Sequence, residues 1–118
     1  MAKPMPSFDK SPAVLVARFD DVAARHPEAA RRKMFGYPAL FVGGNLATCL
    51  FRDGWALRLS DADCTDALAV PGITGFSPMP GRTMRGWALL PPEMVADDAV
   101  LGSWVQRSLE FAASLPPK

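Results

Sequence analysis

Three turn signals interrupt the chain between Arg32 and Leu59: Gly36-Tyr37-Pro38, Gly43-Gly44-Asn45 and Arg52-Asp53-Gly54. The apolar runs between them are too short for helices and the right length for strands. Gly-Gly-Asn between two such runs is a hairpin signal, because the tight turns that suit strand twist need residues tolerant of positive φ. Residues 39–42, 46–51 and 55–59 are therefore expected as a three-strand antiparallel meander, with Lys33 to Phe35 as a brief strand ahead of it. In the last strand Trp55, Leu57 and Leu59 share one face while Ala56 and Arg58 point away. A face that apolar has to be covered.

Helices supply the cover. Ser11 reads as an N-cap with Pro12 at the first helical position, followed by Leu15, Phe19, Val22 and Ala23 on one face. Pro27 ends that helix. Ser60 caps a second, whose early Asp61 and Asp63 suit the helix dipole and which Val70-Pro71-Gly72 stops. Ile73 to Met79 is expected as irregular or a short edge strand, Pro80-Gly81 as a turn, and Met84 to Leu90 as a strand closed by Pro91-Pro92. A last helix starts near Asp97 or Asp98, with Leu101, Trp104, Val105, Ser108, Ala112 and Leu115 on one face. The order is helix, three-strand meander, helix, one or two strands, helix. It predicts an α+β fold of two layers, an antiparallel sheet with helices packed on one face. Residues 1–10 read as a disordered tail and 11–118 as a single domain.

Several function classes drop out. No apolar run approaches the roughly 20 residues that cross a bilayer, so no membrane partner is expected. Lys3 has no apolar segment behind it, which points to a cytoplasmic protein without a secretory signal. In that compartment Cys49 and Cys64, without Cys-x-x-Cys spacing, are expected as free thiols. His26 is the sole histidine, at a helix end, and neither cysteine has a nucleophile motif around it. Asp61-Ala62-Asp63-Cys64-Thr65-Asp66 has a calcium-loop look but lacks the sixth-position glycine and closing glutamate. Gly43-Gly44 is followed by a strand rather than by the helix and Lys-Ser/Thr of a phosphate loop, and Gly72-Ile73-Thr74-Gly75 has neutral middle residues. The chain is expected to be no enzyme and to hold no cofactor and no metal.

A net charge of +1 works against free-standing DNA binding, where phosphate neutralisation supplies most of the affinity. A patch is still open. Arg31, Arg32 and Lys33 border one Gly/Pro-rich block and Arg82 and Arg85 flank the other, so five charges converge if the blocks are neighbours in the sheet. They then form a candidate surface for phosphates or an acidic partner. The other reading makes them solvated strand-edge charges that discourage edge pairing. Trp55, Trp87 and Trp104 are read as packing residues, with Arg85-Gly86-Trp87 the one hint of a base-stacking platform.

Those blocks carry a resemblance. Met34-Phe35-Gly36, the run Tyr37 to Val42, the Gly-Asn hairpin, Phe76-Ser77-Pro78-Met79-Pro80-Gly81-Arg82 and the Trp104 helix occur in the order of the N-terminal domain of the TfoX/Sxy family, a bacterial group linked to natural competence. The resemblance spans about Ala30 to Ser114. Tyr37-Pro38 departs from the Met-Phe-Gly-Gly of many members, as in a distinct branch. The chain ends at Lys118, so it reads as a stand-alone N-terminal-like domain without the C-terminal domain of the full-length regulators. The resemblance implies a two-layer α+β fold and an accessory role at promoters beside a cyclic-AMP-responsive activator. A protein partner is expected, nucleic acid is the weaker candidate, and a homodimer stays open. The alternative is a small-molecule-binding domain with a pocket between sheet and helices.

Overall fold

The structure, a computed structural model, describes residues 10–79 and 81–118. The expected tail at residues 1–10 lies outside these except for Lys10, as does Pro80 of the predicted turn.

The meander has one strand more than expected. β1 (Ala30–Met34), β2 (Tyr37–Val42), β3 (Asn45–Phe51) and β4 (Gly54–Arg58) follow each other through tight turns. The brief strand placed at Lys33 to Phe35 is β1, which begins earlier at Ala30 and leaves Phe35 in the turn. Its Arg31-Arg32-Lys33 stretch hides a strand from any hydrophobicity pattern, because an edge strand has little to bury. After α2 (Asp61–Leu68) come β5 (Thr74–Gly75) and β6 (Trp87–Leu90), antiparallel like the rest, in the spatial order β1-β2-β3-β4-β6-β5. β6 starts three residues later than expected, since Gly86 at φ +82° turns the chain just before Trp87.

The helices α1 (Ala13–Ala24), α3 (Pro92–Val95) and α4 (Asp98–Ser114) pack with α2 on one face. Ser60 caps α2 as expected, its Oγ accepting the Asp63 N–H, and Asp97 caps α4 through the N–H groups of Ala99 and Val100. Ser11 does not cap α1. Helix α1 starts one residue later, with Pro12 in the cap position, where its carbonyl accepts from Leu15 and Val16. Pro91-Pro92 ends the strand and opens the short α3, proline being tolerated in a first helical turn.

Register sorts the strand residues into two faces, because antiparallel partners lie on the same side. The row Arg31, Leu40, Thr48, Leu57, Ala88 faces the helices, as do Leu50, Trp55 and Leu90. Phe19 from α1, Leu101 and Val105 from α4 and Ala67 from α2 close over them, all fully buried. Buried Ser108 ties α4 to the sheet, its hydroxyl 2.6 Å from the Ala47 carbonyl oxygen and 2.9 Å from that of Arg58. The opposite row runs Arg32, Ala39, Cys49, Ala56, Leu89. No helix among the described residues packs there, and none is long and apolar enough to cross a membrane.

Candidate functional site: an apolar groove on the open sheet face

The helix-free face is apolar. Its floor is a row of small residues, Ala39, Cys49 and Ala56, with Ala39 and Ala56 fully buried. Burial without a helix comes from the segment between β5 and β6. Leaving Gly75, the chain folds back over the sheet so that Phe76 and Trp87 pack on this row. The segment holds itself together: Met84 N–H donates to the Phe76 carbonyl (2.8 Å), Arg82 N–H to that of Met79 (3.0 Å), and the Ser77 and Thr83 hydroxyls lie 2.9 Å apart.

Four rings form a continuous line across the face. Tyr37 to Phe51 is 5.5 Å between centroids, Phe51 to Phe76 is 5.2 Å and Phe76 to Trp87 is 5.7 Å. All are tilted or edge-on, the arrangements that aromatic quadrupoles favour. Beside this line lies a cavity of about 310 Å³, walled by Met34, Phe35, Leu46, Pro78, Met79 and Met84 with the rings and Cys49. No charged side chain lines it. Its rim carries exposed apolar groups: Phe35 is 80% exposed, Met79 60% and Met84 40%. Clustered exposure of this kind, rather than scattered apolar residues, marks contact surfaces.

Phe35 stands in an unusual conformation. It and Gly36 form the two-residue turn between β1 and β2 with φ of +54° and +85°, the signs of a type I′ turn. Glycine or asparagine is expected at the first position; a bulky aromatic there is strained.

Cys49 lies on the groove floor, and burial pushes its thiol from an ordinary value of 9.0 up to about 12. The Cys64 thiol is raised too, first by burial and then by the Asp61 carboxylate. Both are free thiols. Above pH 9 the unfolded thiol loses its proton while the folded one keeps it, so the unfolded chain binds fewer protons and stability falls with rising pH until about 12. The slope for one such group is about 1.4 kcal/mol per pH unit. Urea unfolding at pH 8 and pH 10 is expected to show a smaller alkaline loss in Cys49→Ala than in the natural sequence; equal losses would refute the thiol's contribution.

The predicted basic residues do not sit as one block. β1 forms one edge of the sheet, with β2, β3 and β4 between it and the β6–β5 edge, so the two basic blocks are not neighbouring strands. Arg31 is on the helix side, its Nε 2.6 Å from Asp20 of α1. Arg32 is on the open face, its guanidinium 5.6 Å from the Phe41 centroid. Lys33 pairs in register with Pro38 and is exposed. Arg82 is exposed on the folded-back segment, bridged to Met79, while Arg85 lines a different cavity with Asp61 and Cys64 beside α2. Trp87 is 7% exposed and offers no free ring face for a base. What the fold does bring together is the apolar part of both blocks, Met34-Phe35 from one and Pro78, Met79 and Met84 from the other.

Sequence reasoning missed this face, yet a signal was present. β3 and β4 are apolar at consecutive positions rather than alternating, as strands buried on both sides are. The apolar cavity lies on the sheet face turned away from the helices.

Residues 21–112 match the family model of the TfoX N-terminal domain. No curated protein and no solved structure matches the chain.

Proposed function

Because the chain belongs to the TfoX N-terminal domain family, we propose that it is a non-enzymatic interaction module, an accessory to transcription that engages a partner protein through the open face of its sheet. The exposed rim of Phe35, Met79 and Met84 around a ring-lined groove carries this reading. Methionine and aromatic side chains are the adaptable and anchoring groups of protein contact surfaces. A groove without charged lining favours apolar contact over phosphate contact.

The test is selection of a displayed random peptide library on the purified protein. Enriched peptides are expected to bind the natural sequence and to weaken on Met79→Glu/Met84→Glu, whose exposed positions leave the core intact. No enrichment, or binding indifferent to those changes, overturns the reading. A mixed-sequence DNA duplex that binds with steep salt dependence, and is lost when Arg31, Arg32, Lys33, Arg82 and Arg85 become Glu, would move the site to a phosphate-contacting surface. A small apolar ligand is the second reading, since about 310 Å³ is at the lower end of small-molecule sites. A small molecule co-purifying with the natural protein, seen by native mass spectrometry and lost in the rim variant, would favour it.

A further inference from the structure

Formal charge in this protein nearly cancels at +1, but its placement does not. Every acidic residue among the described residues lies on a helix, in a loop flanking one, or in the β3–β4 turn: Asp20 and Asp21 on α1, Asp61, Asp63 and Asp66 on α2, Glu93 on α3, Asp98 and Glu110 on α4, with Glu28 and Asp97 in flanking loops and Asp53 in that turn. The helix-side arginines are largely consumed by these acids. Arg18 and Arg25 reach Asp98 at 3.3 Å, Arg31 reaches Asp20, and Arg107 reaches Asp63 at 3.5 Å.

The open face is different. Arg32 lies over Phe41, and Arg52, in the β3–β4 turn, has its guanidinium 5.1 Å from the centroid of Phe51, a wall of the groove. Arg82 sits on the folded-back segment beside Met79. None of the three makes an ion pair among the described residues. Stacking on a ring holds a guanidinium near an apolar surface while leaving its N–H groups for an oxygen acceptor. The open face is therefore apolar at its floor and carries cations around it, Arg52 and Arg82 next to the groove walls Phe51 and Met79 and Arg32 beside Ala39 in register, and no carboxylate of the strands on this face offsets that charge.

We propose that the groove takes a partner protein's segment in which bulky apolar side chains are flanked by Asp or Glu. The inference rests on the reading of this face as a docking site and specifies its occupant. Apolar side chains would seat against the rings and methionines, and flanking carboxylates would meet Arg32, Arg52 and Arg82 as charge-assisted, fork-like pairs. Charge at a rim selects partners and speeds association more than it adds affinity, so a like-charged segment is rejected. The same charges count against a second copy of this chain on the β1 edge. Antiparallel pairing of β1 with itself about its centre sets Arg32 against Arg32. The groove itself has no lining cation to neutralise a phosphate backbone, from which nucleic-acid affinity mostly comes.

Three labelled peptides of one length test this by fluorescence anisotropy: alternating Leu and Glu, the same with Lys for Glu, and the same with Ser for Leu. The Leu/Glu peptide is expected to bind at least about tenfold tighter than either other, and to weaken as salt rises. Arg52→Glu/Arg82→Glu, at exposed positions, is expected to reverse the Glu-over-Lys preference with unchanged thermal unfolding. Equal binding of the Glu and Lys peptides overturns the acidic occupant while leaving the groove as a docking site. If none of the three binds and Met79→Glu/Met84→Glu has no effect on library-selected peptides, both proposals fall. A DNA duplex that displaces the Leu/Glu peptide at near-physiological salt overturns the protein segment in favour of nucleic acid.

Discussion

Trp55→Ala is expected to lower the unfolding free energy by about 3–5 kcal/mol, the range for emptying a large aromatic site in a packed core. Trp55 is fully buried on β4, with its ring centroid 5.0 Å from that of Phe19 on α1. It also ends a short polar chain inside the apolar layer. Its Nε1–H donates to the Thr48 hydroxyl (2.8 Å), which donates in turn to the Ala56 carbonyl (2.6 Å). Removing the indole leaves a cavity between helix and sheet and takes from Thr48 the donor that satisfies it. A domain of this size has about 5–15 kcal/mol in all, so the variant should be marginal or unfolded at 37 °C. Trp55→Phe separates the two contributions: it keeps most of the contact with Phe19 and loses the hydrogen bond, at a cost of about 1 kcal/mol. Urea titrations followed by circular dichroism decide the matter. A loss below about 1 kcal/mol for Trp55→Ala would mean that this site collapses without a cavity, against the packing described.

Phe35→Asn is expected to move stability and binding in opposite directions. The left-handed conformation costs an ordinary L-residue about 1–2 kcal/mol, and asparagine relieves much of that through its local hydrogen bonding. Asn-Gly is also the preferred pair for the turn that Phe35-Gly36 makes, with both φ values positive. The variant should gain about 1 kcal/mol, a rise of roughly 4 °C in Tm. Affinity for peptides selected on the groove should meanwhile fall by about tenfold or more, because Phe35 is an aromatic at its rim and 80% exposed. Strain retained at one exposed residue, where a better turn residue is available, is the signature of a position kept for contact. Greater stability with unchanged binding would remove Phe35 from the docking surface. Lower stability would show that its conformation is not strained.

The residues that spoke clearly from the sequence were those whose partners are close in the chain. Gly43-Gly44 forms its hairpin with both φ values positive, and Ser60 and Asp97 cap their helices, because a turn or a cap is settled within a few residues. Leu15, Phe19 and Val22 were legible as a buried face for the same reason. Helix α1 is capped one residue past Ser11; serine followed by proline is a good cap pattern wherever the helix begins. β1 was underestimated because three consecutive cations mask a strand whose pairing supplies backbone hydrogen bonds rather than burial.

From its sequence alone this chain is a two-layer α+β domain of the TfoX N-terminal type, since turn chemistry, periodicity and motif order are local properties. The candidate site is not local. Its walls come from β1, β2, β3, the segment after β5 and the start of β6, and they meet only once β4 has paired with β6 across the 28 residues between Arg58 and Trp87. The five basic residues make one surface only if the two motifs are neighbouring strands; the strand pairing and the alternation of side chains divide them, and join the apolar residues of those motifs instead. Which face a residue takes follows from pleat and register, and register is fixed by the burial of the whole sheet, a sum over long-range contacts that no stretch of sequence contains by itself.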